Sequence, residues 1–229
     1  MSDIFREVDE DIRQEKYRRL WDRFGLWIIV LAVVIVAGTG GYRGWSYWQQ
    51  TKAREAGDMF LRAVALAESG QHLEAQELFG RLETATGGYP VLARLRGATD
   101  LAVAGNPEEA IARFDAIAAD RSVDSLMRDL ASLRAGYLAL DSLDHAAVQD
   151  RLEGVAGDAN PWRFAAREIL AFSAWKAGDT AAARDWIDRI VDDAAAPADV
   201  SGRVGILNEL IRAAEGAAGS AAGNEGASQ

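Results

Sequence analysis

Histidine is the side chain best suited to acid–base or metal chemistry near neutral pH, and this chain of 229 residues has two, His72 and His145. They stand 73 residues apart in comparable polar turn regions, and they read as solvated turn residues rather than ligands or bases. Carboxylate pairs occur at Glu108-Glu109 and Asp192-Asp193. Paired acids catalyse when their surroundings drive the two pKa values apart, but these pairs fall at expected helix ends or exposed faces. Acids at a helix start complement its dipole, which suffices for Glu108-Glu109. There is no cysteine, so disulfides, thiolate metal sites and cysteine nucleophiles are excluded. No metal-ligand cluster, glycine-rich phosphate loop or Gly-x-Ser-x-Gly elbow occurs. The expectation is a protein that is not an enzyme and carries no cofactor, so its chemistry must lie in surfaces.

The net charge is −10, and residues 44–229 carry 28 acidic against 18 basic groups. An acidic domain without a basic stripe argues against nucleic-acid binding, because phosphate neutralisation needs clustered Lys and Arg.

One stretch divides the chain. Phe24–Tyr42 is 19 residues without a formal charge. At about 1.5 Å per residue, a helix of that length covers roughly 28 Å, close to the hydrocarbon thickness of a bilayer. Aromatic residues flank it, with Trp21, Phe24 and Trp27 before and Tyr42, Trp45, Tyr47 and Trp48 after. Rings at both headgroup levels mark a retained anchor. A cleaved signal peptide fits less well, because seven acidic groups precede the run and no Ala-x-Ala site closes it. Arg13, Lys16, Arg18, Arg19 and Arg23 outnumber Arg43, Lys52 and Arg54, which places the amino end in the cytosol. Ala37/Gly41 and Gly40/Gly44 form small-xxx-small pairs that suit close approach of another membrane helix; the alternative is that glycine is simply commoner in membrane helices.

The expected organisation is therefore a cytosolic segment 1–23, a transmembrane helix 24–48, a helical repeat domain 49–216 and a disordered small-residue tail 217–229. Residues 3–23 read as a short amphipathic lead-in with Phe5, Val8, Ile12 and Leu20 on its apolar positions. Ser201–Glu215 reads as a closing helix with Val204, Leu207, Leu210 and Ile211 on one face. After residue 50 no segment alternates like a strand, so the class is all-α.

Within the repeat domain a frame recurs. Gly70, Gly105, Ser142 and Gly178 lie 35, 37 and 36 residues apart. Seven residues before each anchor stands an alanine: Ala63, Ala98, Ala135 and Ala171. Nine and twelve after lie Phe79 and Leu82, Phe114 and Ile117, and Ile187 and Ile190, whereas Arg151 and Gly154 break the pattern in the third unit. Small residues let paired helices approach, and large ones fill the groove to the next pair. The segments Ala98…Gly105-Asn106-Pro107-Glu108-Glu109-Ala110…Phe114 and Ala171…Gly178-Asp179…Ala183 make this frame resemble the tetratricopeptide repeat. The resemblance implies an α-solenoid of about four helix pairs whose first helices line a concave face. On that basis Phe60, Val64, Thr99, Phe172 and Trp175 are the expected lining of a partner or peptide groove, with ordinary packing between pairs as the alternative.

A single anchor followed by an acidic repeat domain also resembles the YfgM-type ancillary subunits of the SecYEG translocon. The resemblance rests on Gly44-Trp45-Ser46-Tyr47-Trp48, on Tyr89-Pro90…Leu92-Ala93-Arg94-Leu95 and on Gly178-Asp179…Ala183-Arg184. It implies a bacterial inner-membrane protein with a periplasmic domain that meets unfolded secreted proteins and a PpiD-like membrane chaperone. A membrane-tethered scaffold for envelope or cell-division proteins is the competing expectation.

Overall fold

The computed structural model describes the backbone of residues 3–226 and the side chains of residues 21, 23–27 and 29–216. The expectations for Phe5, Val8, Ile12 and Leu20 therefore lie outside the described side chains. Nine α-helices follow one another among the described residues, with no strand. They are α1 (Asp3–Glu68), α2 (His72–Leu82), α3 (Tyr89–Val103), α4 (Pro107–Ala119), α5 (Ser125–Ser142), α6 (His145–Leu152), α7 (Arg163–Lys176), α8 (Thr180–Val191) and α9 (Ala198–Gly226). The chain divides into two compact units, Met1–Glu55 and Ala56–Gln229.

In the first unit, α1 is long and apolar enough to cross a membrane. Its described apolar side chains from Leu26 to Val36 are exposed, unlike those of a core helix in a soluble protein. Thr39 and Thr51 donate their hydroxyls to the carbonyls of Ile35 and Tyr47, four residues back, which satisfies the polar groups within the helix itself. Cations stack on the flanking rings. Lys52 Nζ lies 4.3 Å from the Trp48 ring centroid, and the Arg23 guanidinium 5.9 Å from that of Phe24.

The second unit stacks four helix pairs and a closing helix. The last turns of α1 pair with α2, α3 with α4, α5 with α6 and α7 with α8, and α9 covers the end. Three pairs turn by one device. Asn106 N–H donates to Leu101 O at 2.9 Å and Gly105 N–H to Ala102 O at 3.1 Å, with Gly105 at φ +85°. This is the Schellman closure, and glycine takes the left-handed position without a Cβ clash. The same two bonds recur at Gly70 and at Gly178. The expected packing follows: Ala63, Ala98, Ala135 and Ala171 are buried, as are Phe79, Phe114 and Ile187 nine after the glycines and Leu82, Ile117 and Ile190 twelve after.

The third pair corrects the frame. Ser142 ends α5 as an ordinary helical residue, and Leu143 is extended at φ −117°, ψ 165°. Asp144 then caps α6 by accepting from Ala147 N–H at 2.9 Å. Anchored at Leu143 instead of Ser142, the unit is regular: Gly136 stands seven before, Val148 five after, Leu152 nine after and Val155 twelve after, and all are buried. Arg151 and Gly154, the two breaks in the expected frame, are each one residue away from the core positions Leu152 and Val155. The physical reason is the turn. Without a left-handed glycine the chain needs one more residue to reverse.

A second correction concerns α9. Its buried face is Val200, Val204, Leu207 and Ile211, while Leu210 is 49% exposed. One step along a helix is a rotation of about 100°, which takes Leu210 off the face shared by its neighbours. The backbone of α9 is helical to Gly226. The tail expected over 217–229 thus begins within the backbone of this helix, while its side chains and residues 227–229 lie outside what the structure describes.

Candidate partner-binding surface

The structure separates the five expected groove residues. Phe60 and Val64 pack in the first pair. The Phe60 ring lies 6.1 Å from that of Phe79 and 6.1 Å from that of Tyr89, so Phe60 packs half-buried against the first pair's core. Thr99 and Phe172 instead line two open hollows on either side of α5. The larger, about 550 Å³, is walled by Leu133, Tyr137 and Leu140 of α5 and by Ile169 and Phe172 of α7. The smaller, about 280 Å³, holds Thr99, Val103 and Phe114 against Tyr137 and Leu138. Trp175 is 37% exposed on α7 and lies in neither hollow.

Tyr137 is the residue the sequence frame missed, and it belongs to both hollows. The signal was present. Val64, Thr99 and Phe172 each stand six before their glycine anchor, and Tyr137 stands six before Leu143. Counted from Ser142, that position falls on Gly136, and the aromatic goes unnoticed.

Charge is arranged at the rim. Arg203 of α9 holds Glu168 at 2.8 Å and Asp199 at 3.0 Å. The hydrogen bonds to Glu168 and Asp199 push the Arg203 pKa further up, and Arg203 in turn pulls the Asp199 carboxyl down. Arg134 lines both hollows, and among the described residues it has no ion-pair partner.

The histidines are not free turn residues. His72 Nδ1 lies 2.7 Å from Asp100 Oδ1, and Asp100 also accepts from Gln76 Nε2 at 3.0 Å. His145 Nδ1 lies 2.9 Å from Ser173 Oγ. Asp100 and Ser173 are buried, and both histidines are half-buried. Each histidine opens the second helix of one pair and reaches the first helix of the next, across 28 residues in both cases. They fasten neighbouring pairs.

The acidic pair Asp192-Asp193 is not merely exposed either. Asp193 Oδ1 accepts from Ala195 N–H at 2.9 Å while Oδ2 takes Arg163 at 3.1 Å. Asp120 does the same in the second pair, with Ser122 N–H at 3.0 Å and Arg94 at 2.7 Å. Hydrogen bonds from Ser122 first, and then from Arg94, lower the Asp120 carboxyl to about 2. The backbone N–H of Ala195, then Arg163, lower Asp193. Buried Arg167 binds the pairs from within, donating to Ala156 O at 3.0 Å and Arg189 O at 2.9 Å. All these titratable groups are occupied in structure. Among the described residues no three His, Asp or Glu are grouped to hold a metal ion.

On α1, the ridge of Ala37, Gly40, Gly41 and Gly44 is open. A Cβ added at Gly40, Gly41 or Gly44 would meet nothing within 4 Å.

Antiparallel helix pairs, closed by left-handed glycines and stacked through small residues, define a helical-repeat protein of the kind that binds other proteins. The chain belongs to the tetratricopeptide repeat-like domain family, whose pattern it matches over residues 18–185. No curated protein and no solved structure matches it.

Proposed function

We propose that the protein is a bacterial inner-membrane protein, anchored by residues 24–48 with its amino end in the cytosol and its repeat domain in the periplasm. There it acts as an ancillary translocon subunit or chaperone adaptor. Its partners on this reading are the SecYEG translocon, a PpiD-like membrane chaperone and unfolded secreted proteins. The carrying observation is the pair of open apolar hollows on either side of α5, walled by side chains of α3, α4, α5 and α7. Shallow apolar hollows give weak contact with many segments, and an acidic surface around them resists aggregation. The resemblance of the Gly44–Trp48 exit sequence to YfgM-type proteins supports the membrane partner. The open ridge of Ala37, Gly40, Gly41 and Gly44 is the proposed contact with a neighbouring membrane helix.

Photocrosslinking in membranes tests this. Reactive side chains at Phe172, Tyr137 and Trp48 are expected to capture SecY, a membrane chaperone or a nascent secreted chain. Capture of cell-division or cell-wall proteins instead assigns the scaffold role and overturns the translocon reading. Protease added to spheroplasts is expected to digest the repeat domain, and its protection would reverse the topology.

A further inference from the structure

We infer that the groove selects extended polypeptide segments in which an acidic residue stands between two apolar ones, with the carboxylate taken by Arg134. This rests on the proposed reading that the groove binds polypeptide segments, and it adds what distinguishes one segment from another.

The argument begins with the shape of the surface. The two hollows flank α5 and share two side chains, Arg134 and Tyr137. Those two residues form the ridge over which any segment occupying both hollows must pass. The hollow walls beside the ridge are aliphatic or aromatic, through Leu133, Ile169 and Phe172 on one side and Val103 and Phe114 on the other. Each side therefore takes an apolar side chain.

Charge decides what sits between them. The other arginine that lines either hollow, Arg203, is committed to Glu168 and Asp199. Arg134 is exposed, lines both hollows and holds no carboxylate among the described residues. The carboxylate on the opposite wall, Glu168, is already held by Arg203. A guanidinium beside apolar walls matches a carboxylate in geometry and charge. A lysine placed there meets like charge in a partly dry surface.

Spacing follows from the backbone. Packed helices lie roughly 8–10 Å apart, and an extended chain advances about 13 Å over four residues with alternate side chains on one face. An apolar residue, an acidic residue two further on and a second apolar residue two beyond that all face the groove together.

The test uses the full chain in lipid nanodiscs and three fluorescent peptides with the cores Leu-Ser-Glu-Ser-Leu, Leu-Ser-Gln-Ser-Leu and Leu-Ser-Lys-Ser-Leu. The acidic peptide is expected to bind about tenfold tighter than the neutral one, and the basic peptide weakest. Arg134→Glu is expected to invert the order of the acidic and basic peptides. Arg134 is solvent-exposed, so the variant keeps the helical circular dichroism of the parent, and Arg134→Gln should level the three affinities. Equal binding of all three peptides to the parent, or an unchanged order in Arg134→Glu, overturns the inference and leaves groove binding standing. Binding of the acidic peptide that survives Phe172→Asp undiminished overturns the groove reading itself. Absence of binding by every peptide overturns the inference as well.

Discussion

The second and third helix pairs solve one geometric problem in two ways. Between α3 and α4 the chain reverses through Gly105 at φ +85°, and two backbone bonds close the helix end. Between α5 and α6 there is no glycine. The chain leaves the helix extended at Leu143 and restarts under the Asp144 cap. The second solution uses one more residue, and the core positions of α6 shift by one to match. The lesson is that the repeat is defined by which residues are buried, while the turn residue is only one way to bring them there.

The sharpest way to break this comparison is at the shifted core position. Leu152→Ala is expected to cost about 3 kcal/mol, as for other buried leucines, because Leu152 is fully buried. Arg151→Ala, which loses a half-exposed pair with Asp115, is expected to cost about 1 kcal/mol or less. Urea midpoints of the two variants in detergent decide it, and the opposite ranking would restore Ser142 as the anchor.

Next in size is the crossing itself. A Cβ at Gly136 would lie 2.7 Å from Leu152 Cδ1, so Gly136→Ala overpacks the third pair by about 1–3 kcal/mol. The other pairs hold alanine at the equivalent position. A thermal melt as high as the parent's would show that Leu152 retreats freely and that the third pair is no tighter than the rest.

The turns differ by less. Gly105→Ala is expected to cost about 1–2 kcal/mol, because the left-handed conformation is strained for any residue with a Cβ. Ser142→Ala should fall within about 0.5 kcal/mol of the parent. Similar losses in both would mean the two turns are not different devices.

The smallest effect concerns pH and the two clasps that close the second and fourth pairs. Asp120 is held at about 2, below its usual 3.8. The unfolded chain therefore binds the proton more readily, and the clasp's contribution, complete above pH 4, is lost as pH falls toward 2. Asp193 is lowered in the same direction. Asp120→Asn is expected to flatten the acid limb of the stability–pH curve. An unchanged limb would show that the clasp does not report on the second pair.

Much of this was legible in the sequence. The 19-residue uncharged run, its aromatic edges, the all-α class and three of the four turns needed only local chemistry: chain length against helix rise, glycine's freedom at positive φ, and small residues seven before each turn. For the proposed groove, the position six before each turn picks out Thr99 and Phe172, which line the two hollows; that Phe60 packs half-buried in the first pair, and that Tyr137 shares both hollows, was not legible, the latter because of the one-residue shift. The histidines show the same limit. At residues 72 and 145 they look like polar turn residues, and nothing nearby in sequence indicates that Asp100 and Ser173 come within hydrogen-bond distance.

By itself, then, the sequence determined what each segment is: an apolar helix that water does not suit, and amphipathic helices too short to bury their own faces. Those properties depend on neighbours within a few turns, where periodicity is a sufficient guide. Only the tertiary structure decided the register of the third pair, the pairing of His72 with Asp100 and the exposure of Tyr137 and Arg134 between two hollows. Those depend on side chains about 28 to 36 residues apart in the chain, brought together by stacking, and a difference of one residue in a turn moves an entire helix face by about 100°.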